Sequence, residues 1–290
     1  MKIAVVTDST SYLTTKEVED NHITIIPIPV IVDGQVYNEG VDVSNSQYYE
    51  MLAKTKTFPS TSQPAIGELV TVYENLRDAG YEAIISIHLS STISGMYNSV
   101  VNVANQIEGV KIYPYDSQIT VRLMGAMALQ AARMVKDETI TPDAVLNALD
   151  DLRATAGEFF VVDDLQNLVR GGRLSNAGAF IGSVLKIKPL LTFDDHSHEI
   201  VAFEKVRSMK KAKARVEELF NEKKANFTYP VKLTVYHVNA LESGKTWLNE
   251  LRQTFPDLAI EFAEMGPVIG THLGQGALAL AWIKDETAPL

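Results

Sequence analysis

The sequence predicts an α/β protein made of two α/β domains. Short apolar runs of strand length alternate along the chain with segments of helical period. The length of 290 residues fits two domains, and the 46% of hydrophobic residues can supply a sizeable core. We place the domain boundary near Gly157, which gives an N-terminal domain of residues 1–157 and a C-terminal domain of residues 158–290.

The first elements are predicted from apolar runs and from helix start signals. The apolar run at residues 3–6 predicts a buried strand, and a capping box that begins at Thr14 predicts a short helix. Residues 27–32 and 35–37 flank an Asp-Gly pair, which predicts a β-hairpin, and the prolines of its first arm favour a sheet edge. A second capping box, at Ser44, predicts the next helix.

The rest of the first half alternates helix and strand. An apolar stripe of helical period predicts a helix that follows Gln63 and ends at Gly80, and Thr141 followed by proline predicts the start of another. The predicted elements after Gly80 are a strand at 83–87, a helix at 97–107, a strand at 110–115, and helices at 121–135 and 144–154.

The second half begins a new set of strands after Gly157. Its predicted elements, in order, are a strand at 159–162, two helices separated by the Arg-Gly-Gly-Arg segment at 170–173, strands at 189–193 and 199–205, a charged helix, a strand at 231–238, an amphipathic helix around Trp247, and a strand at 259–263.

Composition excludes several classes of function. With 26 basic and 36 acidic residues the formal net charge is −10, which argues against nucleic acid as a partner. The absence of cysteine excludes disulfides and thiolate metal sites. His196 and His198 have no third ligand at metal spacing, so we expect no metal. We expect no cofactor either. Without a signal peptide or a bilayer-length apolar run, the sequence predicts a cytoplasmic protein.

Three segments rich in hydroxyl groups and glycine are the most informative motifs. They are residues 60–64 (Ser-Thr-Ser-Gln-Pro), 90–95 (Ser-Ser-Thr-Ile-Ser-Gly) and 270–276 (Gly-Thr-His-Leu-Gly-Gln-Gly). Each borders a predicted strand, and we expect two of them to open a helix, where unpaired backbone N–H groups and hydroxyls can bind an anion. Neither a Walker lysine nor a Gly-x-Ser-x-Gly elbow accompanies them.

Each candidate residue has a structural alternative. Asp8, after the first strand, fits a base near a ligand or a turn-forming side chain that caps backbone N–H groups. His272 beside Thr271 fits a donor to a carboxylate or an ordinary polar residue. Arg170 and Arg173 fit an anion-binding pair or the end of a helix capped by cation and glycine.

In this order, the motifs resemble those of the DegV-like family, the fatty-acid-binding subunits of bacterial fatty acid kinase, over essentially the whole chain. The residues that carry the resemblance are Thr7-Asp8-Ser9-Thr10, Thr61-Ser62-Gln63-Pro64, Ser90-Ser91 with Ser94-Gly95 and Tyr97, Asp116-Ser117, Arg170-Gly171-Gly172-Arg173 with Leu174-Ser175, and His272 with Gly274, Gly276 and Ala277. This chain departs from the expected pattern at Met96, Leu174 and Leu273.

The resemblance implies a protein that binds a long-chain fatty acid such as palmitate or oleate and presents its carboxylate to a separate ATP-dependent kinase. The implied carboxylate ligands are Thr61 and Ser94, with Ser62, the Gly95 N–H and His272 nearby and with Asp8 and Thr271 in supporting positions. The acyl chain would lie between the two domains. Arg170 and Arg173 would face the kinase subunit or an anionic membrane surface.

Two other classes of function use the same residues. A serine hydrolase would combine Ser94, His272 and Asp8 as nucleophile, base and orienting acid. A phosphosugar or nucleotide enzyme would use the hydroxyl segments to bind phosphate.

Overall fold

The computed structural model of the chain describes residues 1–163, 165–180 and 187–287. The chain divides into two compact units, Met1–Ala154 and Thr155–Leu290. The division falls three residues before the boundary expected from the sequence at Gly157, so Gly157 begins the first strand of the second unit. The predicted fold class, α/β, is confirmed.

The first unit is built from seven strands and six α-helices within the described residues. In chain order they are β1 (Ile3–Asp8), α1 (Thr15–Asn21), β2 (Ile23–Ile26), β3 (Pro29–Val32), β4 (Gln35–Asn38), α2 (Asn45–Leu52), β5 (Ser60–Thr61), α3 (Ile66–Asp78), β6 (Ala83–His88), α4 (Met96–Ala104), β7 (Lys111–Asp116), α5 (Val121–Met134) and α6 (Pro142–Arg153). A single turn of 3₁₀-helix, Ser9–Ser11, follows β1.

Its main sheet is parallel, in the strand order β2-β1-β6-β7. All six residues of β1 and all six of β6 are buried, as is typical of parallel strands covered on both faces. The capping boxes predicted at Thr14 and Ser44 are both present, with each hydroxyl accepting from the backbone N–H three residues later.

A second, three-stranded antiparallel sheet of the first unit has the order β4-β3-β5. The predicted hairpin is confirmed, and Asp33 and Gly34 both have positive φ, as its tight turn requires. The expected edge position of the proline-containing arm is wrong, because β3 lies between the other two strands. Pro29 is tolerated there because it is the first residue of the strand.

The second unit is built on one mixed sheet. Its elements in the described residues are β8 (Gly157–Val161), α7 (Gln166–Arg170), α8 (Ala177–Phe180), β9 (Lys188–Phe193), β10 (Ile200–Val206), α9 (Met209–Lys224), β11 (Val231–His237), α10 (Leu241–Thr254), β12 (Ala259–Glu264), α11 (Pro267–Leu273) and β13 (Leu278–Lys284). The strand order is β10-β9-β8-β13-β11-β12. Among the neighbouring pairs of these described strands, β11 and β12 are parallel and the others are antiparallel.

Helices α9 and α10 pack on one face of this sheet and form its main core. Phe220 of α9 and Trp247 of α10 are fully buried in this cluster, and Trp282 of β13 is buried beside them. The Trp247 indole N–H donates to Glu217 Oε1 at 2.7 Å, so its polar atom is satisfied. No helix in the described residues is long and apolar enough to cross a bilayer.

An ion pair between Glu17 and Arg122 links α1 to α5. Arg122 donates to both carboxylate oxygens of Glu17, at 2.6 and 2.8 Å. Burial alone would raise the pKa of Glu17, but the hydrogen bonds from Arg122 and from the Thr14 N–H outweigh it and lower the pKa to about 2 from 4.5. The pair therefore stabilises the fold when Glu17 is ionised.

We expect Arg122→Met to lower the free energy of unfolding by about 1.5–3 kcal/mol at neutral pH, since it removes charged hydrogen bonds but keeps an apolar stem. Because the pKa of Glu17 is lower in the folded state, this contribution is complete above pH 4.5 and is lost as the pH falls to about 2. Urea unfolding of both proteins across this range measures it. Lys16→Met, at an exposed pair with Asp20, is the control and should cost little.

Candidate functional site

The candidate site of the first unit lies at the carboxyl ends of the parallel strands. Asp8 ends β1, His88 ends β6 and Asp116 ends β7. Strand β2, which follows β1 in the chain, lies on one side of β1, and the later strands β6 and β7 lie on its other side. The direction in which strands are added to the sheet therefore reverses, and the switch point lies between β1 and β6. In open α/β sheets ligands bind at this switch point, outside the carboxyl ends of the strands.

Asp8 is completely buried and accepts hydrogen bonds on both carboxylate oxygens. Oδ1 accepts from the Thr10 N–H at 3.1 Å and from the Thr10 hydroxyl at 2.6 Å. Oδ2 accepts from the Leu89 N–H at 3.1 Å and lies 3.0 Å from His88 Nδ1. Asp8 therefore holds the loop after β1 and the loop after β6 together, and the predicted capping role is present within this larger network.

The network continues from His88 into the core of the first unit. His88 Nε2 lies 2.7 Å from the Ser86 hydroxyl, which lies 2.8 Å from the Tyr73 hydroxyl. Burial raises the pKa of Tyr73, so its phenol is protonated. Donation from Tyr73 to Ser86, from Ser86 to Nε2 and from Nδ1–H to Asp8 gives every proton an acceptor.

Asp8, His88 and Ser86 thus have the connectivity of a hydrolase triad, but all three are completely buried. A nucleophile must be reachable by substrate, so we interpret the cluster as structural. The hydrolase alternative pairs Asp8 with His272, whereas in the structure Asp8 is adjacent to His88. The geometry therefore gives that alternative no support.

The loop between β6 and α4 carries the second hydroxyl segment. It is fixed at its start, because Ser90 N–H donates to the Ile119 carbonyl at 2.8 Å and Ser91 N–H donates to Asp116 Oδ1 at 3.1 Å. Ser94 Oγ accepts from the Met96 N–H at 3.1 Å, which leaves its own proton available to a ligand. This loop opens α4, as predicted, with Gly95 at the cap position.

The first hydroxyl segment does not cap a helix. Helix α3 begins at Ile66 with Ala65 as its cap residue, so the expected role of Thr61 and Ser62 as the start of that helix is wrong. Thr61 instead pairs with Val30 across β5 and β3, and Ser62 N–H donates to the Pro29 carbonyl at 3.1 Å. Thr61 is half-buried on the sheet face that it shares with Val30.

Gln63 brings these two segments into contact. A Cβ atom built on Gly95 would overlap Gln63 Oε1 and would lie 3.3 Å from Gln63 Cδ. The carboxamide of Gln63 therefore rests directly on the backbone of Gly95. This contact places the segment of Thr61 and Ser62 beside Ser94 within the first unit, as the sequence predicts for a shared site.

In the second unit, the third hydroxyl segment lies at the end of a helix. Thr271 and His272 lie in the last turn of α11, and the Thr271 hydroxyl donates to the Pro267 carbonyl of the same helix at 2.8 Å. Burial, and secondarily the Arg173 guanidinium, lower the pKa of His272 to about 4. His272 is therefore neutral at pH 7, and its ring packs against Gly171.

The Arg-Gly-Gly-Arg segment ends α7. Gly171 N–H donates to the Asn167 carbonyl at 2.9 Å and Gly172 has a positive φ, so the glycines end the helix. Arg173 is partly buried and donates to the Gly171 carbonyl, while Arg170 is exposed. The structure contains the helix end that the capping alternative predicts for this segment. A role of the two arginines in partner binding stays a prediction.

Comparison with known proteins decides the family. A model of the DegV family matches residues 2–285. The chain belongs to the DegV family. A DegV domain-containing protein of Listeria monocytogenes is 44% identical, over 97% of this chain and 98% of its own length.

Two solved DegV structures share the whole fold. The crystal structure of DegV, a fatty acid binding protein from Bacillus subtilis, matches with a TM-score of 0.89 at 41% identity, covering 98% of this chain and 100% of that one. A fatty acid binding DegV family protein from Streptococcus agalactiae matches with a TM-score of 0.90 at 33% identity, covering 99% and 100%. The resemblance drawn from the sequence is thus confirmed.

The sequence-based view of this DegV chain missed the buried network and Gln63. The network could have been found, because Ser86 and His88 are polar residues two apart in an otherwise apolar strand and so share one face. Among the residues that the structure describes, no three His, Asp or Glu side chains are grouped as metal ligands.

Proposed function

We propose that this chain binds a long-chain fatty acid such as palmitate or oleate. The observation that carries the proposal is a set of donors with no acceptor in the described protein: the hydroxyl protons of Ser62 and Ser94 and the Gly95 N–H, beside Thr61. Such a group of neutral donors suits a carboxylate. The fatty acid binding function named for the DegV proteins of Bacillus subtilis and Streptococcus agalactiae supports this ligand.

The energetics of such a ligand divide between its two ends. A buried carboxylate is costly unless donors satisfy it, and the hydroxyl and N–H groups can do so. Each methylene removed from water contributes about 0.8 kcal/mol, so a sixteen-carbon chain supplies on the order of 10 kcal/mol before ordering costs. The acyl chain therefore provides affinity, and the polar group fixes the orientation of the carboxylate.

In this proposal the chain acts in the cytoplasm as a carrier and not as an enzyme. It presents the carboxylate to a separate ATP-dependent kinase that forms the acyl phosphate, and it needs no cofactor of its own. His272, neutral at pH 7, can donate one hydrogen bond in support of the carboxylate. Arg170, which is exposed, and Arg173 are proposed for contact with the kinase or an anionic membrane.

Mass spectrometry of lipid extracted from the purified protein tests the ligand directly. We expect a stoichiometric long-chain fatty acid, and thermal stabilisation of the delipidated protein by palmitate or oleate. An empty protein that neither lipid stabilises would overturn the proposal, and stabilisation by a sugar phosphate or nucleotide instead would support the phosphate-binding alternative.

Thr61→Ala and Ser94→Ala test the position of the head group. Each removes one hydrogen bond to a charged group, worth about 1.5–3 kcal/mol, so we expect fatty acid affinity to fall by about 10–150-fold. Thr139→Ala is the matched control. Thr139 lies in the α5–α6 loop, whose Glu138 carbonyl accepts a hydrogen bond from the Met1 amino group, before the amino end of β1 and away from the carboxyl ends of the strands. Unchanged affinity in both site variants would show that the carboxylate binds elsewhere.

Ester hydrolysis distinguishes the remaining alternative. A carrier should release no product from a chromogenic ester, and Ser94→Ala should leave that background unchanged. Turnover that disappears in Ser94→Ala would contradict the carrier proposal.

A further inference from the structure

Gln63 belongs to the first hydroxyl segment, but neither its local structure nor the family resemblance assigns it a role. Its side chain is exposed, and its carboxamide has no hydrogen-bond partner in the described part of the chain. It nevertheless packs on Gly95, with Cδ at 3.3 Å and Nε2 at 3.8 Å from the place where a Cβ of residue 95 would stand. This long polar side chain therefore lies between the two hydroxyl segments.

We propose that Gln63 is a further head-group ligand, whose carboxamide N–H donates to the bound carboxylate. This inference rests on the proposed function. The backbone places Gln63 next to Ser62, and the side chain reaches across to Gly95, so the carboxamide bridges both groups of donors. A carboxamide carries two N–H donors, and a rotation of its plane exchanges the oxygen and nitrogen ends without moving the side chain.

The conformation of Gly95 is consistent with this role. Its φ of −79° and ψ of 0° lie in a region that any residue can adopt, so no backbone conformation requires glycine there. A Cβ at this position would instead push the carboxamide of Gln63 away. Glycine at position 95 therefore preserves the position of Gln63.

Because the carboxamide of Gln63 is neutral and donates hydrogen bonds, Gln63 also affects which class of lipid binds. A neutral donor strengthens binding of a carboxylate and contributes less to an alcohol, which is uncharged. A negative charge in the same place would repel the carboxylate and leave the alcohol nearly unaffected. Gln63 thus favours fatty acids over neutral lipids of the same chain length.

The first experiment measures palmitate and hexadecanol, delivered from cyclodextrin, as competitors of a fluorescent fatty acid. We expect Gln63→Met, which keeps length without donors, to weaken palmitate binding several-fold. Gln63→Glu should weaken it more than tenfold and change hexadecanol binding by less than about threefold. The loss of palmitate affinity in Gln63→Glu should become smaller as the pH falls towards about 5, because the new carboxyl group begins to gain a proton. A purely structural role would affect both lipids equally and at every pH.

Gln106→Glu is the matched control. Gln106 is exposed and follows the carboxyl end of α4, whereas Gly95 caps its amino end, so the same charge is introduced about 15 Å away. Palmitate affinity should stay within about twofold of the unchanged protein, since a distant exposed charge is screened.

The second experiment uses Gly95→Ala alone and in a Gln63→Ala background. Alone, the methyl group should displace the carboxamide and weaken palmitate binding about as much as Gln63→Ala does. In the double variant the two losses should not add, because they remove the same interaction. Additive losses would overturn the proposed link between the two residues.

The outcomes separate this inference from the proposed function. If Thr61→Ala and Ser94→Ala weaken palmitate binding while Gln63→Met and Gln63→Glu do not, the role of Gln63 is wrong and the carrier function stands. If the unchanged protein binds no fatty acid, both fail.

Discussion

Replacing Asp8 with alanine is expected to lower the free energy of unfolding by about 3–5 kcal/mol, as removal of one partner from a buried charged network does. Asp8 is completely buried and is the common acceptor for two backbone N–H groups, the Thr10 hydroxyl and His88. Alanine would leave these donors without an acceptor and without access to water. We expect urea unfolding to show the loss and hydrogen exchange at Leu89 and Thr10 to increase.

Two further variants make the interpretation of Asp8 specific. Asp8→Asn keeps the shape but turns an NH₂ group towards donors, so it should also destabilise the protein. Asp20→Ala, at an exposed carboxylate paired with Lys16, should change stability by less than about 1 kcal/mol. An Asp8→Asn protein as stable as the unchanged one would show that the carboxylate is not what holds the two loops.

The loss expected for Trp247→Ala in the second unit is of similar size, about 3–5 kcal/mol. The indole is completely buried in the cluster that α9 and α10 form against the sheet. Alanine would leave a large cavity and would remove the 2.7 Å hydrogen bond that the Glu217 carboxylate receives. Trp247→Phe retains part of the packing and should cost less.

Fluorescence is well suited to this measurement. The chain has two tryptophans, Trp247 and Trp282, and both lie in the second unit, so Trp282 still reports on that unit in the variant. Leu241→Ala is the control, because that side chain is 47% exposed at the start of α10. A transition in Trp247→Ala at the same urea concentration as in the control would be inconsistent with the described core.

Elements with strong local signals could be predicted from the sequence. The capping boxes at Thr14 and Ser44, the Asp-Gly hairpin turn and the buried strand at β6 are determined by neighbouring residues, and the structure contains all of them. The same holds for the loop that opens α4 at Gly95.

Elements that depend on distant partners could not be predicted. Strand β13, with the sequence Leu-Ala-Leu-Ala-Trp-Ile-Lys, consists mainly of residues that favour helix or are neutral, and its strand conformation comes from pairing with β8 and β11 on both sides. Helix α11 is likewise absent from the predicted elements; it begins at Pro267 and ends at Leu273, within the third hydroxyl segment.

The candidate site was predictable in its residues but not in its contacts. The hydroxyl groups of Thr61 and Ser94 stand out in the sequence because they are clustered with glycine and proline. The carboxamide of Gln63 on Gly95 joins positions 32 apart in the chain, and the pairing of Asp8 with His88 joins positions 80 apart. No local pattern encodes such separations, since they follow from strand order.

The position of β13 also has a consequence for synthesis of the protein on the ribosome. Strand β8 is complete at Val161, yet its neighbour in the middle of the sheet begins only at Leu278. At translation rates of about 5–20 residues per second, roughly 6–23 s separate the two. During this interval β8 has an unpaired edge in the nascent chain, and β11 adds a second unpaired edge once His237 has been made. This is the period in which we expect the second unit to depend most on chaperones.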